Sequence, residues 1–342
     1  MRLKIAILGV EHYHANFWAG AFLQRPEVEI VGVWDQAADK AAEFAGRHGI
    51  EVQDDLHRLI RKSHAVAICS TTNGHLMLVE AAAALGRPVL CEKPLGIDRA
   101  QCDAIAAVVA RTGIRFMQSF PKRFDPANHE IARLLQEKAL GRVTLCRVRH
   151  GHSHGLTEAF RSAWFVDPAR SGGGTLLDEG VHAADFLRWM FGEPESVFAT
   201  LSSAALGLSV EDTAVATFRY ADGLIAEVTT SWCFAAADTS VEIYGTEGSI
   251  LLSGVDIASR ATREADFLRV FRRGEGEGWS ASDVVPSFKT GVFHEHVAWA
   301  FVDALKNGGT MPVTIDDGRK AFAMIEAAYR SAATGRVQMI GA

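Results

Sequence analysis

Through the first 120 residues, short apolar runs alternate with stretches of helical length. The runs are 4–8, 29–34, 65–70, 89–91 and 115–118. Most are apolar without interruption, the pattern of parallel strands covered on both faces. Between them lie 15–24, 37–48, 76–85 and 99–111, long enough for the crossover helices that parallel strands require. Asp98, with Gln101 three residues on, reads as a capping box for the last of these. This rhythm confines the first part of the chain to an α/β architecture, a doubly wound parallel sheet built from βαβ units.

After about residue 120 the rhythm changes. A helix over 126–138 leads to a strand over 143–150, and a further helix runs from about 174 to 190. Strand-like runs then follow, with few helices until residue 291. Ala221-Asp222-Gly223, between 215–220 and 225–232, is a hairpin turn signal, and Thr246-Glu247-Gly248 is a second. The Gly- and charge-rich stretch 272–287 reads as exposed loop, and helices over 292–306 and 317–333 close the chain. This half reads as α+β with a largely antiparallel open sheet. The division falls at 1–121 and 122–342.

The net charge of -6 gives no electrostatic reason to expect nucleic acid or an anionic membrane as partner. No apolar run approaches the roughly 20 residues a membrane helix needs. Five scattered cysteines without a C-x-x-C pair point to a reducing compartment, and no secretory signal pattern opens the sequence. The expected location is the cytoplasm.

Sheets of this kind bind ligands beyond the carboxyl ends of their strands. The turn after the first strand reads Gly9-Val10-Glu11-His12-Tyr13-His14. Against the dinucleotide fingerprint G-x-G-x-x-G it keeps only Gly9, with Glu11 and His14 at the other two positions. A carboxylate at 11 is awkward beside a pyrophosphate, so it must point away or the site is altered. Asp35, at the end of the second strand, is placed to bond both ribose hydroxyls of NAD and to repel the extra phosphate of NADP. The plainer reading of Asp35 is a cap for the following helix. Ser70-Thr71-Thr72-Asn73 follows the third strand on the side expected for the nicotinamide, although Asn73 equally suits a cap. The expected cofactor contacts are Gly9, Glu11, His12, Asp35, Ser70, Thr71, Thr72, Asn73, His75, Glu92 and Lys93.

Two further features carry chemistry. Glu92-Lys93-Pro94 ends the fourth strand, and Pro94 restricts Lys93 to extended backbone. That aims an ammonium out of the sheet's carboxyl edge. In Gly172-Gly173-Gly174-Thr175-Leu176-Leu177-Asp178-Glu179-Gly180-Val181-His182, Asp178 and His182 stand at i and i+4 and would share a helix face, with Asp185 on the same side. Lysine, carboxylate and imidazole can together move a proton off a hydroxyl. Asp178 and His182 offer two metal ligands without a clear third, so no metal is expected. His150, His152 and His154 alternate along an extended segment, a pattern that suits a metal, a substrate pocket or an exposed loop.

These residues resemble the glucose–fructose oxidoreductase / inositol dehydrogenase (Gfo/Idh/MocA) family of NAD(P)-dependent enzymes. The resemblance runs from the opening strand through His75, Glu92-Lys93-Pro94, Arg123-Phe124-Asp125-Pro126, Trp164 and Ser171-Gly172-Gly173-Gly174. It continues through Asp178-Glu179-Gly180-Val181-His182 and Asp185 to Ala327-Ala328-Tyr329-Arg330-Ser331. The chain departs from the family in its glycine loop and in Thr72, where a proline is common. The resemblance implies an N-terminal Rossmann domain and a C-terminal α+β domain whose open sheet makes homo-oligomer contacts. It implies hydride transfer between NAD, or less expectedly NADP, and a sugar, cyclitol or related polyol. Lys93, Asp178 and His182 match the family's catalytic positions, and Arg123, His152 and Trp164 join them as expected substrate contacts. Two alternatives remain open: an NAD-dependent glycosidase that recycles its hydride internally, and a non-catalytic dinucleotide-binding sensor.

Overall fold

The computed structural model describes residues 2–341 except 259 and 277. The chain forms two compact units. The first runs to Pro121 and adds Ala169–Gly172 and His294–Arg319. Its core is a parallel sheet of order β2-β1-β3-β4-β5. The strands are β1 (Leu3–Leu8), β2 (Val28–Trp34), β3 (Ala65–Ile68), β4 (Val89–Cys91) and β5 (Phe116–Gln118). All four residues of β3 are fully buried, as an uninterrupted apolar strand requires. The strand order reverses between β1 and β3, and the crevice beyond the carboxyl ends at such a reversal is where sheets of this kind bind ligands.

The helices of this unit fall close to their expected positions, with one addition. Leu56–Lys62 is a seven-residue helix whose brevity hides its periodicity. Asp55 caps it by accepting the Arg58 N–H at 2.9 Å, and it buries Leu59 and Ile60. Asp98 caps Arg99–Thr112 by accepting the Gln101 N–H at 2.7 Å. The Gln101 side chain accepts from the Ile97 N–H, one residue before the position a capping box calls for. The C-terminal segment completes the unit. Gln118 N–H donates to the Val313 carbonyl at 3.1 Å. Arg115 donates to the Ala304 and Gly309 carbonyls. Helix Glu295–Asn307 packs on helix His14–Leu23, with Trp299 Nε1 on the Ala21 carbonyl at 3.2 Å.

The second unit comprises Lys122–Pro168, Gly173–Phe293 and the chain from Lys320 onward. It holds a nine-stranded sheet of order β13-β12-β11-β10-β6-β9-β8-β7-β14. In chain order the strands are β6 (Val143–Arg149), β7 (Ser196–Ser202), β8 (Thr213–Arg219), β9 (Ile225–Ser231), β10 (Asp238–Gly245), β11 (Gly248–Asp256), β12 (Leu268–Arg272), β13 (Ser280–Ser282) and β14 (Gln338–Met339). Only the β6–β9 pair is parallel. Both expected hairpins form, β8–β9 and β10–β11. The stretch expected to be loop from 272 onward contributes the edge strand β13, while residue 277 lies outside the described residues. Helix Gly180–Phe191 lies on β9. Phe198, Val215 and Ile225 of β7, β8 and β9 stay exposed.

The helix expected over 174–190 is two helices, Thr175–Asp178 and Gly180–Phe191, parted at Glu179. The Glu211 carboxylate, 37 residues downstream of Gly174, caps the first of these helices by accepting the Gly174 N–H at 3.0 Å and the Leu176 N–H at 2.8 Å. A Cβ at Gly174 would lie 2.0 Å from the Glu211 carbonyl oxygen, so only glycine allows this docking. Tyr329 adds its hydroxyl to Glu211 Oε1 at 2.7 Å.

Candidate functional site

In the first unit, the loops after β1, β2 and β3 surround a cavity of about 330 Å³. Six of the expected cofactor residues line it: Gly9, Glu11, Asp35, Ser70, Thr71 and Asn73. Gly9 has φ 84°, and a Cβ there would sit 2.5 Å from Ser70. The one glycine kept from the fingerprint is thus the one that lets two loops touch. Asp35 ties the loops together, with Oδ2 accepting the Val10 N–H at 2.7 Å and Oδ1 the Ala37 N–H at 2.8 Å. Asp35 lines the cavity, and the helix Ala38–His48 that follows has Ala37 at its N-cap, so Asp35 bonds the chain just before that helix and does not cap it. Glu11 also faces the cavity and pairs with Arg170, whose role the sequence did not signal. Burial pushes the Glu11 carboxyl above its ordinary range, Arg170 pulls it back, and Asp35 adds to the rise.

The other expected cofactor residues are buried in the same unit. His12 donates its backbone N–H to Cys69 at 3.1 Å and accepts the His14 N–H on Nδ1 at 3.3 Å. Burial holds its pKa well below the usual imidazole range, so the ring is neutral at pH 7. Thr72 opens a short 3-10 turn. His75 donates Nδ1–H to the Leu95 carbonyl at 3.2 Å, and burial lowers its pKa too. Glu92 is fully buried after β4. Its Oε1 accepts the Lys93 N–H at 2.9 Å and lies 3.3 Å from His14 Nδ1. Burial raises the Glu92 carboxyl, and the Lys93 ammonium opposes that rise. Lys93 itself is 2% exposed, a rare placement for a lysine without function.

In the second unit the chemistry gathers around Glu179. His150 Nε2 lies 3.2 Å from one carboxylate oxygen and His152 Nε2 lies 3.4 Å from the other. The two imidazoles hold the carboxyl well below its ordinary range, although burial alone would raise it. Lys122, buried beside Asp125 and Glu179, has its ammonium pKa pulled down by burial to about 8. Asp178 and His182 do not occupy one continuous helix as expected; each lies beside Glu179. Donor atoms of His150, Glu179 and His182 fall within 4.8 Å of one another, as do those of His152, Asp178 and Glu179. The Asp178 carboxylate also accepts Trp232 Nε1–H at 3.0 Å. Glu179 was within sight of the sequence: a second acid beside Asp178, between Leu177 and Val181 in a buried stretch, needs a partner.

The remaining expected residues lie in the second unit. His154 is exposed and begins a 3-10 turn, so only His150 and His152 of the three histidines reach Glu179. Arg123, expected against substrate, forks onto the fully buried Asp185 at 2.7 and 2.9 Å. Asp185 is therefore tied into an ion pair. Trp164 is buried and stacks on Phe165 at 4.0 Å.

His12, His14 and Glu92 form a third cluster of possible metal ligands. Tautomers weigh against two of the three. His152 Nδ1 accepts the His154 N–H at 3.1 Å, so the neutral ring carries its proton on the nitrogen facing Glu179. The His14 N–H fixes His12 in the same way.

A sheet whose order reverses at a cavity, with a carboxylate ending β2, defines a dinucleotide-binding α/β protein. Residues 3–120 match the GFO/IDH/MocA model described as an oxidoreductase family with an NAD-binding Rossmann fold, and 128–251 match the GFO/IDH/MocA C-terminal domain. The chain belongs to the GFO/IDH/MocA family and is a nicotinamide-dependent oxidoreductase. It is 26% identical to the 1,5-anhydro-D-fructose reductase of Ensifer adhaerens over 95% of both chains. It is likewise 26% identical to the inositol 2-dehydrogenase of Rhizobium meliloti over 98% of both. Among solved structures, GenD2 from gentamicin A biosynthesis, in complex with NAD, superposes with a TM-score of 0.84 at 27% identity, covering 100% of this chain and 97% of that one.

Proposed function

We propose that this protein is an NAD-preferring dehydrogenase moving hydride between the cofactor and a carbinol of a sugar, cyclitol or related polyol. The observation that carries the reading is the Asp35-lined cavity in the unit that also buries Lys93. Gly9, Glu11, Asp35, Ser70, Thr71 and Asn73 would hold the cofactor, and Asp35 favours NAD over NADP by charge. The fit is local: Gly9 leaves no room for a Cβ, and the loops it joins leave a cavity of about 330 Å³. NAD, when bound, supplies a hydride acceptor at C4 of its nicotinamide.

The rest of the reaction falls to side chains. We assign His182 to take the hydroxyl proton and Lys93 to hydrogen-bond the developing alkoxide and share that proton; the two roles could be exchanged. Asp178 orients His182 or holds a neighbouring hydroxyl. His152 and Trp164 are assigned to substrate. In reduction the proton moves the other way. The names of the relatives, one a reductase and one a dehydrogenase, support a sugar or polyol substrate while leaving the direction open.

A sugar and polyol panel, followed by nicotinamide absorbance with each cofactor, tests this. The expected result is NADH formation or consumption on at least one compound, with NADP slower. Silence across the panel in both directions would remove the reading. Cleavage of a glycoside without net nicotinamide reduction would transfer the same residues to a hydride-recycling glycosidase.

We further propose a homo-oligomer, dimer or tetramer, through the sheet face that exposes Phe198, Val215 and Ile225. Its mass in solution should exceed one chain, and Val215→Glu should lower it. A monomeric wild type would exclude the assembly. A reducing, cytoplasmic setting is supported by five free cysteines, four of them buried. No helix among the described residues is long and apolar enough to cross a membrane.

A further inference from the structure

The altered glycine loop poses an electrostatic problem. The second fingerprint glycine normally lets backbone approach the pyrophosphate. Here that position is Glu11, with its carboxylate in the cavity and its charge opposed to that of a diphosphate. The same cavity is lined by Arg170, remote in sequence, whose guanidinium sits on the Glu11 carboxylate.

Arg170 is held in that position. It lies in the short helix Pro168–Ser171, directly before Gly172. Gly172 has φ 86°, and a Cβ there would fall 2.4 Å from the Ile97 carbonyl oxygen. The segment Ala169–Gly172 therefore packs as part of the first unit. Two other charged groups act on Glu11, Asp35 and Lys40. Asp35 is engaged by the Val10 and Ala37 N–H groups, and Lys40 makes the weaker opposing contribution to Glu11 compared with Arg170.

We infer that Arg170 is the cation that holds the cofactor's diphosphate, and that Glu11 is its counter-charge in the place of a fingerprint glycine. A guanidinium has five N–H donors in a planar fork, enough to keep a carboxylate on one edge and grip a phosphate on the other. Glu11 thus orients Arg170, and Arg170 cancels the repulsion Glu11 would exert. The inference rests on the reading that this cavity takes NAD.

Calorimetry on the full-length protein, without substrate, tests it with NAD, ADP-ribose and adenosine. Arg170→Met should weaken NAD and ADP-ribose by about 10- to 100-fold, the worth of a hydrogen bond to a charged group. Adenosine, which has no phosphate, should bind as before. Glu11→Gln with Arg170→Met should recover part of the loss, because no uncompensated carboxylate remains. Arg170→Lys, which keeps the charge but not the fork, should fall between wild type and Arg170→Met. Lys40→Met should have the smaller effect. Unchanged NAD binding by Arg170→Met, or an equal loss for adenosine, would overturn the assignment. A double variant no better than Arg170→Met would overturn the part given to Glu11. Wild-type protein that binds neither NAD nor ADP-ribose would instead defeat the cofactor reading on which this one stands.

Discussion

Lys93→Met should still bind NAD measurably and turn over about 10²–10⁴-fold more slowly, the range for losing a positioned acid–base or charge-stabilising group. Methionine keeps most of the stem volume, so the buried site after β4 stays filled. Separate measurement of kcat and NAD affinity distinguishes this from misfolding, and near-normal kcat would end the role assigned to Lys93. A second signature follows from Glu92, the neighbouring buried carboxylate. Burial already raises its pKa above 4.5, and Lys93 restrains that rise. A carboxyl raised in the folded state contributes stability that is full below pH 4.5 and is lost as pH climbs through the folded value. With the ammonium gone the folded value climbs further, so melting temperature should fall more steeply above pH 4.5 in the variant than in wild type.

Asp185→Ala should be the most destabilising single change in the second unit, at about 3–5 kcal/mol. Asp185 is fully buried and holds Arg123 by two hydrogen bonds of 2.7 and 2.9 Å. Removing the carboxylate strands a guanidinium whose side chain is only 14% exposed. At about 2–4 °C per kcal/mol for a unit of this size, thermal melts should drop by roughly 6–20 °C. Replacing both residues with leucine should recover much of the loss, because the cost lies in the unpaired charge. A melting temperature within about 1 °C of wild type for Asp185→Ala would refute the structural role.

The two units were legible to different degrees. Parallel strands announced themselves because burial on both faces leaves an unbroken apolar run, and β3 is that case in full. Asp35 and Gly9 could be read because the position at the end of a strand fixes where a side chain goes. The Glu211 carboxylate that caps the helix at Thr175 could not be read, because no local periodicity reports a partner so far along the chain. Nor could the pairing of Glu11 with Arg170, separated by 159 positions. Alternation placed three histidines on one side of an extended segment, but β6 ends at Arg149 and a 3-10 turn begins at His154. Leu56–Lys62 escaped because seven residues make too few turns for a stripe to emerge.

The first unit is assembled from three separated stretches of chain, the last of them ending at Arg319. Helix Glu295–Asn307 and the Val313 strand partner come late in synthesis, yet they cover helix His14–Leu23 and bond to β5. While the ribosome is still making most of the second unit, the nascent nucleotide-binding half has one helical flank bare and its last strand, paired with β4, without its bond to Val313. An expression fragment cut near Pro121 would display that apolar flank to solvent and chaperones.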